Sequence, residues 1–399
     1  MSKFGVTRRT ATLGISAFAA GAALSCPAVA QQKPPIKVGL LWVYSGLGAT
    51  DGTPDEGFKL FQAEHGDSVN GRKVEFLVRD TTGVAPDLVK RLAQELIVRD
   101  KVDFLAGGDY TPNVLALGPI TTQAKTPFLI LSGGVNGFLD RNPYFLRMGY
   151  AIQALAQPLG NWAAKTGIKK VYTLVPDFAP GIDAELAFTK AFKDGGGNVV
   201  GSVRVPLAGV DISAYILKIK DANPDAVFAF QTLGEPALNF LKAFNESGLR
   251  SAGVKLLTIG AIGDESTLAA AGKASEGLIY STNYSADLDN EENKKLVAGY
   301  QKMKGVGKLP NFAVMTGYDI MAAIYKSIEA QPEGLSGDKT MQLMRSVQLN
   351  TPRGPVKFDQ GSREIIQNIY IMRVEMRGSR AAHAPVETYS DVIDPGNPK

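Results

Sequence analysis

The sequence predicts an α/β protein of two lobes, each built around a parallel β-sheet. Short apolar runs alternate with helical patterns along most of the chain. Strands that alternate with helices of about 10 to 15 residues are typical of right-handed βαβ crossovers, and hence of parallel sheets. The alternation runs once over residues 36–134 and again over residues 154–259. Two such series favour two lobes over one.

The first series predicts four buried strands with helices between them. The strands are expected at residues 36–42, 73–78, 102–106 and 127–131. The helices are expected at residues 55–65, 86–100 and 112–124. Leu88, Leu92 and Leu96 lie on one stripe of the second helix. Pro86 stands near its start, where a missing N–H is tolerated.

The second series repeats the pattern, and the last third departs from it. Strands are expected at residues 170–175, 198–205, 225–230 and 255–259, with helices at 154–165, 183–194, 212–221 and 235–247. A strand at 276–284, helices at 290–304, 311–330 and 338–346, and a hairpin of 354–358 with 367–375 follow. Residues 377–399 show little apolar periodicity, so we expect a peripheral tail.

The first thirty residues have the layout of an export signal. Lys3, Arg8 and Arg9 precede a run without charge, which ends in a small-x-small site closed by Ala30. We expect cleavage near Ala30, release from the membrane and residence in the periplasm. Arg8 and Arg9 fit a twin-arginine signal in part, but Ala11 stands where a large apolar residue is usual. The twin-arginine and general secretory routes therefore both stay open.

Composition excludes several classes of function. The expected signal holds the only cysteine, Cys26, so the mature chain is not a disulfide scaffold. Lysines and arginines number 43 against 39 acids, and no basic stripe indicates nucleic-acid binding. The sequence contains only two histidines, His65 and His383, which disfavours a histidine metal site and a Ser-His triad. We expect no cofactor, no metal and no enzymatic activity.

Candidate binding residues follow the predicted strands, because ligands of open parallel sheets bind outside the carboxyl ends of the strands. Thr111 and Pro112 resemble a helix start, whose free amides suit a carboxylate. Each loop taken alone fits an ordinary cap or turn better, whereas two such loops after consecutive strands of one sheet fit a binding site equally well. The candidates are Tyr44, Ser45, Tyr110, Thr111, Ser132, Gly133, Gly134, Asn136, Phe178 and Gln231.

An ordered set of motifs resembles the Leu/Ile/Val-type periplasmic binding proteins. The set comprises residues 36–41 with 45–46, 71–80, 93–103, 223–227, 247–249, 276–277, 317–319 and 354–359. The resemblance implies a type I periplasmic-binding fold, with two doubly wound parallel-sheet lobes joined by a three-segment hinge. It also implies a periplasmic receptor that delivers a small carboxylate-bearing solute to the inner-membrane permease of an ABC transporter. A monomer is the family default.

The same resemblance implies that the lobes are discontinuous. We expect residues 36–150 with 285–352 in the first lobe and residues 151–284 with 353–376 in the second. The crossings are then expected near residues 149–151, 283–286 and 351–354.

The site roles that the resemblance implies do not determine the chemical class of the ligand. Tyr110 and Thr111 match the loop that holds the ligand carboxylate, and the loop from Ser132 to Asn136 matches one used for carboxylate and ammonium. Pro180 replaces a tyrosine common in relatives. Asp264 is the candidate partner of an ammonium, although Ile262 falls nearest the expected position. An amino acid and an aromatic or aliphatic organic acid, walled by Tyr44, Tyr110 and Phe178, both remain open.

Two other functions are weighed. A ligand-sensing subunit of a signalling system would use the same fold, but we expect no spanning helix after Val374. An exported hydrolase would need an activated nucleophile, which the scarcity of histidine and cysteine disfavours.

Overall fold

Two β-sheets with helices packed on them organise the part of the chain that the computed structural model describes. That part comprises residues 33–46, 48–132, 134–135, 137–207 and 211–396. The expected export signal over residues 1–30 and the candidates Gly133 and Asn136 lie outside it. Every helix in the described ranges is too short or too polar to pass through a lipid bilayer.

The first sheet follows the doubly wound pattern. Its described strands are β1 (Ile36–Trp42), β2 (Ser68–Val69), β3 (Arg72–Asp80), β4 (Phe104–Gly107), β5 (Phe128–Ile130) and β6 (Phe145–Arg147), in the order β2-β3-β1-β4-β5-β6. All neighbours pair in parallel except β2 with β3. The helices are α1 (Pro54–His65), α2 (Pro86–Gln94), which continues as a π-helical turn over Glu95–Arg99, and α3 (Thr111–Ala124). The chain order reverses at β1, between β3 and β4.

The second sheet repeats this winding and then turns antiparallel. Its parallel strands are β7 (Lys170–Pro176), β8 (Asn198–Val205), β9 (Ala226–Ala229), β10 (Lys255–Ile259) and β11 (Ile279–Thr282), in the order β8-β7-β9-β10-β11. The helices are α4 (Ile152–Lys165), α5 (Ala179–Asp194), α6 (Ser213–Asp221), α7 (Glu235–Glu246) and α8 (Glu265–Ala271), with 3₁₀ turns at Gly260–Gly263 and Gly272–Ser275. Here the order reverses at β7.

The last third returns to the first sheet before it ends in the second. The helices are α9 (Glu291–Lys304), α10 (Phe312–Glu329) and α11 (Gly337–Met344), and the strands are β12 (Gln348–Thr351), β13 (Gly354–Phe358), β14 (Ile365–Arg377) and β15 (Arg380–Val392). Val314 and Ile320 of α10 share one core with Val38 and Leu40 of β1. We call the first sheet with α1–α3 and α9–α11 the first lobe, and the second sheet with α4–α8 the second lobe.

Burial on both faces explains why the inner strands were predictable. Six of the seven residues of β1 are buried, as are all four of β4 and all four of β9. Strands covered on both faces contain near-continuous apolar runs, which is the pattern that the sequence shows. The short strands β2 and β6 escaped prediction because two or three residues carry no periodicity.

The third crossing lies later in the chain than expected. Val356, Phe358 and Ile365 pack in the core of the first lobe, whereas Ile369 packs in a core of the second. By this packing the chain passes from one core to the other within β14, later than the expected crossing at residues 351–354. That segment is instead the turn between β12 and β13. The crossing falls inside one continuous strand and not at a loop, so strand and loop signals in the sequence do not mark it.

The tail is not peripheral over residues 380–392. This stretch forms β15, which pairs antiparallel with β14 over most of its length. Ala381, Ala382 and His383 are buried. Register shifts interrupt the pairing twice, and most later residues of β15 are at least partly exposed. The bulges and the polar outer face hide the alternation that would have predicted a strand.

Candidate ligand-binding site

A pocket lies between the lobes at the carboxyl ends of the strands where each sheet reverses its order. Doubly wound sheets bind ligands at such switch points, where loops on either side diverge and leave a crevice. The first lobe contributes Trp42, Val43, Gly48, Asp109, Tyr110, Thr111, Ser132 and Gly134; the second contributes Phe178, Pro180, Phe230, Gln231, Thr232, Leu233 and Ala261; Tyr150 and Ile152 come from the first crossing and the start of α4. The structure thus brings together Tyr110, Thr111, Ser132, Gly134, Phe178 and Gln231 from the sequence candidates.

The start of α3 faces this pocket with unused hydrogen-bonding groups. Tyr110 is the N-cap residue, Pro112 lies in the first turn, and no side chain caps the helix. The Thr111 hydroxyl is buried without a hydrogen-bond partner among the described residues. A helix N-terminus favours negative charge, because its free amides and the helix dipole point at the same place. This corner of the pocket suits a carboxylate.

The second lobe offers two more buried groups without partners in the described chain. They are Nε2 of Gln231 and Oγ1 of Thr232, in the loop that follows β9. Both side chains are less than a tenth exposed. A buried polar atom left without a partner costs about 1–3 kcal/mol. Their clustering with Thr111 in one pocket therefore indicates a polar ligand that both lobes contact.

Aromatic side chains form the remaining walls. Phe178 and Phe230 stack with ring centroids 6.4 Å apart and an interplanar angle of 20°. Tyr150 is tilted against Phe312, with centroids 5.3 Å apart. With Trp42 and Tyr110 in the lining, these faces suit a flat apolar group of low hydration.

The pocket lining is nearly devoid of charge. Asp109 is the one carboxylate among its described residues, and no lysine, arginine or histidine is among them. Its carboxylate accepts hydrogen bonds from Thr81 and from the Asn113 side chain and Tyr110 amide, both at 2.8 Å. Burial raises the pKa of Asp109. Its acceptors are engaged by the loop itself, so it offers no ready counter-charge to a ligand cation.

Asp264 lies outside this lining. It is the N-cap of α8, where Oδ1 accepts hydrogen bonds from the Ser266 amide at 3.0 Å and the Ser266 hydroxyl at 2.5 Å. It lines a small neighbouring chamber that shares Tyr150, Leu233 and Ala261 with the pocket. Burial raises the pKa of Asp264. The expected partner of an ammonium thus serves as a helix cap and lines the neighbouring chamber, not the part of the pocket at the start of α3.

Tyr44 and Ser45 are also outside the pocket lining. The Tyr44 hydroxyl donates to Asp55 Oδ1 at 2.8 Å, and the Ser45 hydroxyl donates to Asp80 Oδ2 at 2.5 Å. These bonds fix the loop after β1 rather than face a ligand. Ser45 is exposed to solvent.

Several lining residues had not been predicted. Trp42 and Phe230 end or follow apolar runs, and their type alone predicts core. Thr232 carries no motif. Gly48 is needed because a Cβ there would lie 2.3 Å from the Tyr110 hydroxyl, and its φ of +92° favours glycine. These residues lie at or after the end of a strand at the switch point of a sheet. That position is the one sequence signal that could have predicted them as lining residues.

Comparison with known proteins adds an independent line of evidence. A profile described as "Periplasmic binding protein" matches residues 35–381. A "Leu/Ile/Val-binding protein homolog 6" of Brucella melitensis is 35% identical over 382 residues, which is 95% of this chain and 98% of the relative.

Solved structures of solute-binding proteins of ABC transporters from Rhodopseudomonas palustris are also similar. One, from strain BisB5 in complex with 3,4-dihydroxybenzoic acid, is 38% identical with a TM-score of 0.86, covering 91% of this chain and 99% of its own. A second, in complex with 4-hydroxybenzoate, is 36% identical with a TM-score of 0.85, covering 90% and 98%. A third, in complex with benzoate, is 26% identical with a TM-score of 0.80, covering 90% and 98%.

Proposed function

This chain belongs to the periplasmic binding protein family, and from that premise we propose that it is the receptor for an aromatic carboxylate of the benzoate class. As a solute-binding protein of the ABC transporter type, it has a small-molecule ligand and a membrane permease as partner. Two observations bear on the ligand: the charge of the pocket lining and the shape of its walls.

The charge of the lining argues against an α-amino acid. A buried ammonium needs a charge partner, since leaving it unpaired costs several kcal/mol. The carboxylate and ammonium of an α-amino acid sit on one carbon, so both must be bound in the same corner. Asp109 is engaged by its own loop, and Asp264 caps α8 in another chamber. This is the observation that carries the proposal.

A benzoate matches the groups that are present. Its single negative charge fits the start of α3, with the Thr111 and Ser132 hydroxyls as donors. Its flat ring fits between the aromatic walls that include Phe178 and Phe230. The Gln231 amide adds a donor from the second lobe, which favours closure of the lobes on the ligand. The ligands of the similar solved structures belong to the same chemical class.

Residence in the periplasm forms part of the proposal. The signal over residues 1–30 is cleaved after Ala30, and the mature chain acts as a monomer. N-terminal sequencing of protein from a periplasmic extract is expected to begin at Gln31. Retention of Lys3 in the extracted protein would contradict this.

Calorimetry on the mature protein tests the ligand class. The panel comprises benzoate, cyclohexanecarboxylate, benzylamine, L-phenylalanine and L-leucine. Benzoate is expected to bind and to raise the melting temperature by mass action. Cyclohexanecarboxylate keeps the charge without the flat ring, and benzylamine keeps the ring with the opposite charge. Binding of L-leucine without binding of benzoate would overturn the proposal in favour of an amino acid.

A further inference from the structure

A small chamber adjoins the ligand pocket. Tyr150, Leu233 and Ala261 line both spaces, and Asp264, Asn283 and Phe312 line the chamber alone. Asp264 is 8% exposed and Asn283 is 1% exposed. The chamber is therefore a buried extension of the pocket, bounded by acceptor groups.

Asn283 presents an acceptor to which no described residue donates. Its Nδ2 donates to Gln367 Oε1 at 3.1 Å, which fixes the orientation of the amide. Its Oδ1 is buried and has no hydrogen-bond partner in the described part of the chain. A buried acceptor of this kind is expected to meet a donor, because the lost hydration is otherwise uncompensated.

Asp264 presents a second acceptor with spare capacity. Both bonds from Ser266 go to Oδ1. The other oxygen, Oδ2, accepts one long bond from the Phe312 amide at 3.4 Å. A carboxylate oxygen can accept two hydrogen bonds, so Oδ2 has room for a stronger one.

Two other polar side chains of the chamber have partners. The Thr282 hydroxyl donates to the Tyr284 carbonyl at 2.9 Å. The Nε2 atom of His383 lies 2.7 Å from Glu265 Oε1. Asn283 Oδ1 and Asp264 Oδ2 are thus two acceptors of the chamber that can receive a hydrogen-bond donor. Water or a neutral group on a ligand would supply such a donor.

The position of the chamber indicates where on the ligand a hydrogen-bond donor must be attached to reach it. The carboxylate corner belongs to α3 of the first lobe, whereas the chamber follows β10 of the second. A donor on the carbon next to the carboxylate would stay in the first-lobe corner. A donor carried on the ring, away from the carboxylate, points toward the second lobe.

We propose that this chamber receives a ring hydroxyl of the ligand, and that Asp264 and Asn283 select hydroxylated aromatic acids over unsubstituted ones. The inference rests on the proposed function, since it assumes that an aromatic carboxylate occupies the main pocket. It assigns Asp264 a role as specificity residue that is separate from pairing with an ammonium.

A ligand series on the unaltered protein is the first test. It compares benzoate with 4-hydroxybenzoate, 4-aminobenzoate and 4-fluorobenzoate by calorimetry. The hydroxyl and the neutral aromatic amine are donors, while fluorine is not. We expect the two donor ligands to bind at least about tenfold tighter than the other two, as for one hydrogen bond to a charged group.

Asp264→Asn is the second test. The substitution keeps an Oδ1 acceptor for the cap of α8 and replaces the free acceptor by an NH₂ donor. We expect 4-hydroxybenzoate to weaken about tenfold while benzoate changes less than about twofold. Asp211→Asn is the matched control, because Asp211 accepts from the Ser213 amide at 2.9 Å in a similar turn at an exposed site.

The outcomes separate this inference from the proposed function. Equal affinity for all four benzoates in the unaltered protein overturns the chamber as a hydroxyl site and leaves the benzoate receptor standing. Absence of binding by any of the four overturns the proposed function itself. If Asp264→Asn weakens benzoate and 4-hydroxybenzoate equally, Asp264 supports the fold and does not select the hydroxyl.

Discussion

Arg353 and Asp319 form an ion pair in which both side chains are buried, with Arg353 Nε and Asp319 Oδ2 2.9 Å apart. The same guanidinium donates to the Met148 carbonyl at 2.7 Å and to Gln367 Oε1 at 3.0 Å. One cation therefore joins α10 to the first crossing and to β14. Burial raises the pKa of Asp319 to about 6, against the opposing effect of Arg353. The hinge between the lobes is organised around this pair.

Removal of one partner from this pair should destabilise the protein strongly. Asp319→Ala leaves the Arg353 charge buried without its carboxylate, so we expect a loss of about 3–5 kcal/mol in the free energy of unfolding. Urea denaturation measures it. The double variant Asp319→Ala/Arg353→Met removes both charges and should recover part of the loss. A loss below about 1 kcal/mol in the single variant would show that water or other groups replace the carboxylate.

Thr111→Val should weaken carboxylate binding with little effect on stability. The variant removes a hydroxyl that has no hydrogen-bond partner in the described part of the chain, and it keeps the shape of the side chain. The expected loss in benzoate affinity corresponds to about 1.5–3 kcal/mol, measured by calorimetry. Thr121→Val is the control on the same helix, because that hydroxyl bonds to the Leu117 carbonyl at 3.0 Å, away from the pocket. Unchanged affinity in Thr111→Val would place the carboxylate elsewhere.

Gln231→Met should separate function from stability. The thioether is close in size to the amide and removes a buried donor that lacks a partner among the described residues. We expect the melting temperature of the ligand-free protein to stay equal or rise, while benzoate affinity falls about tenfold. Thermal unfolding and calorimetry on one preparation give both values. A lower melting temperature together with full affinity would assign Gln231 to the fold.

Stability between pH 6 and 8 should depend on His383. Burial lowers the pKa of this imidazole, but Glu265 and Asp287 outweigh burial, so its pKa lies above the ordinary 6.5. The native state therefore binds the proton more tightly than the unfolded chain. This contribution is complete below about pH 6.5 and is lost as the pH rises through the native pKa.

Two histidine variants isolate this effect. We expect the free energy of unfolding of the unaltered protein to decrease as the pH is raised from 6 to 8, in denaturant titrations. His383→Gln should flatten that dependence. His65→Gln should retain it, since the His65 side chain is 45% exposed on α1. A flat profile in the unaltered protein would mean that Glu265 does not hold a charged imidazole.

The sequence predicted the inner strands and the main binding loops, and the reasons are local. Strand β1 is a near-continuous apolar run, interrupted by Lys37, because both of its faces are buried. Thr111 and Pro112 mark a helix start by residue type alone. Prediction from residue type failed where the neighbouring residues determine the role of a side chain. Asp264 suits a ligand ammonium and a helix cap equally well, and the nearby Ser266 makes it a cap.

The third crossing and the final strand show a second limit. Ile365 and Ile369 are the same type of residue, although the two side chains pack in different cores. The assignment of a residue to a lobe depends on which partner strand lies beside it. That information is carried by distant residues and not by the local pattern.

The core that β1 and α10 share has a consequence for how the chain folds during its synthesis. All of β7 to β11 is synthesised between these two elements, so the first lobe has no complete core until nearly the whole chain exists. Contacts between such distant segments carry a high entropy of loop closure, and they slow folding. The core that β1 shares with α10 can therefore be completed only after the strands β7 to β11 of the second lobe have been made.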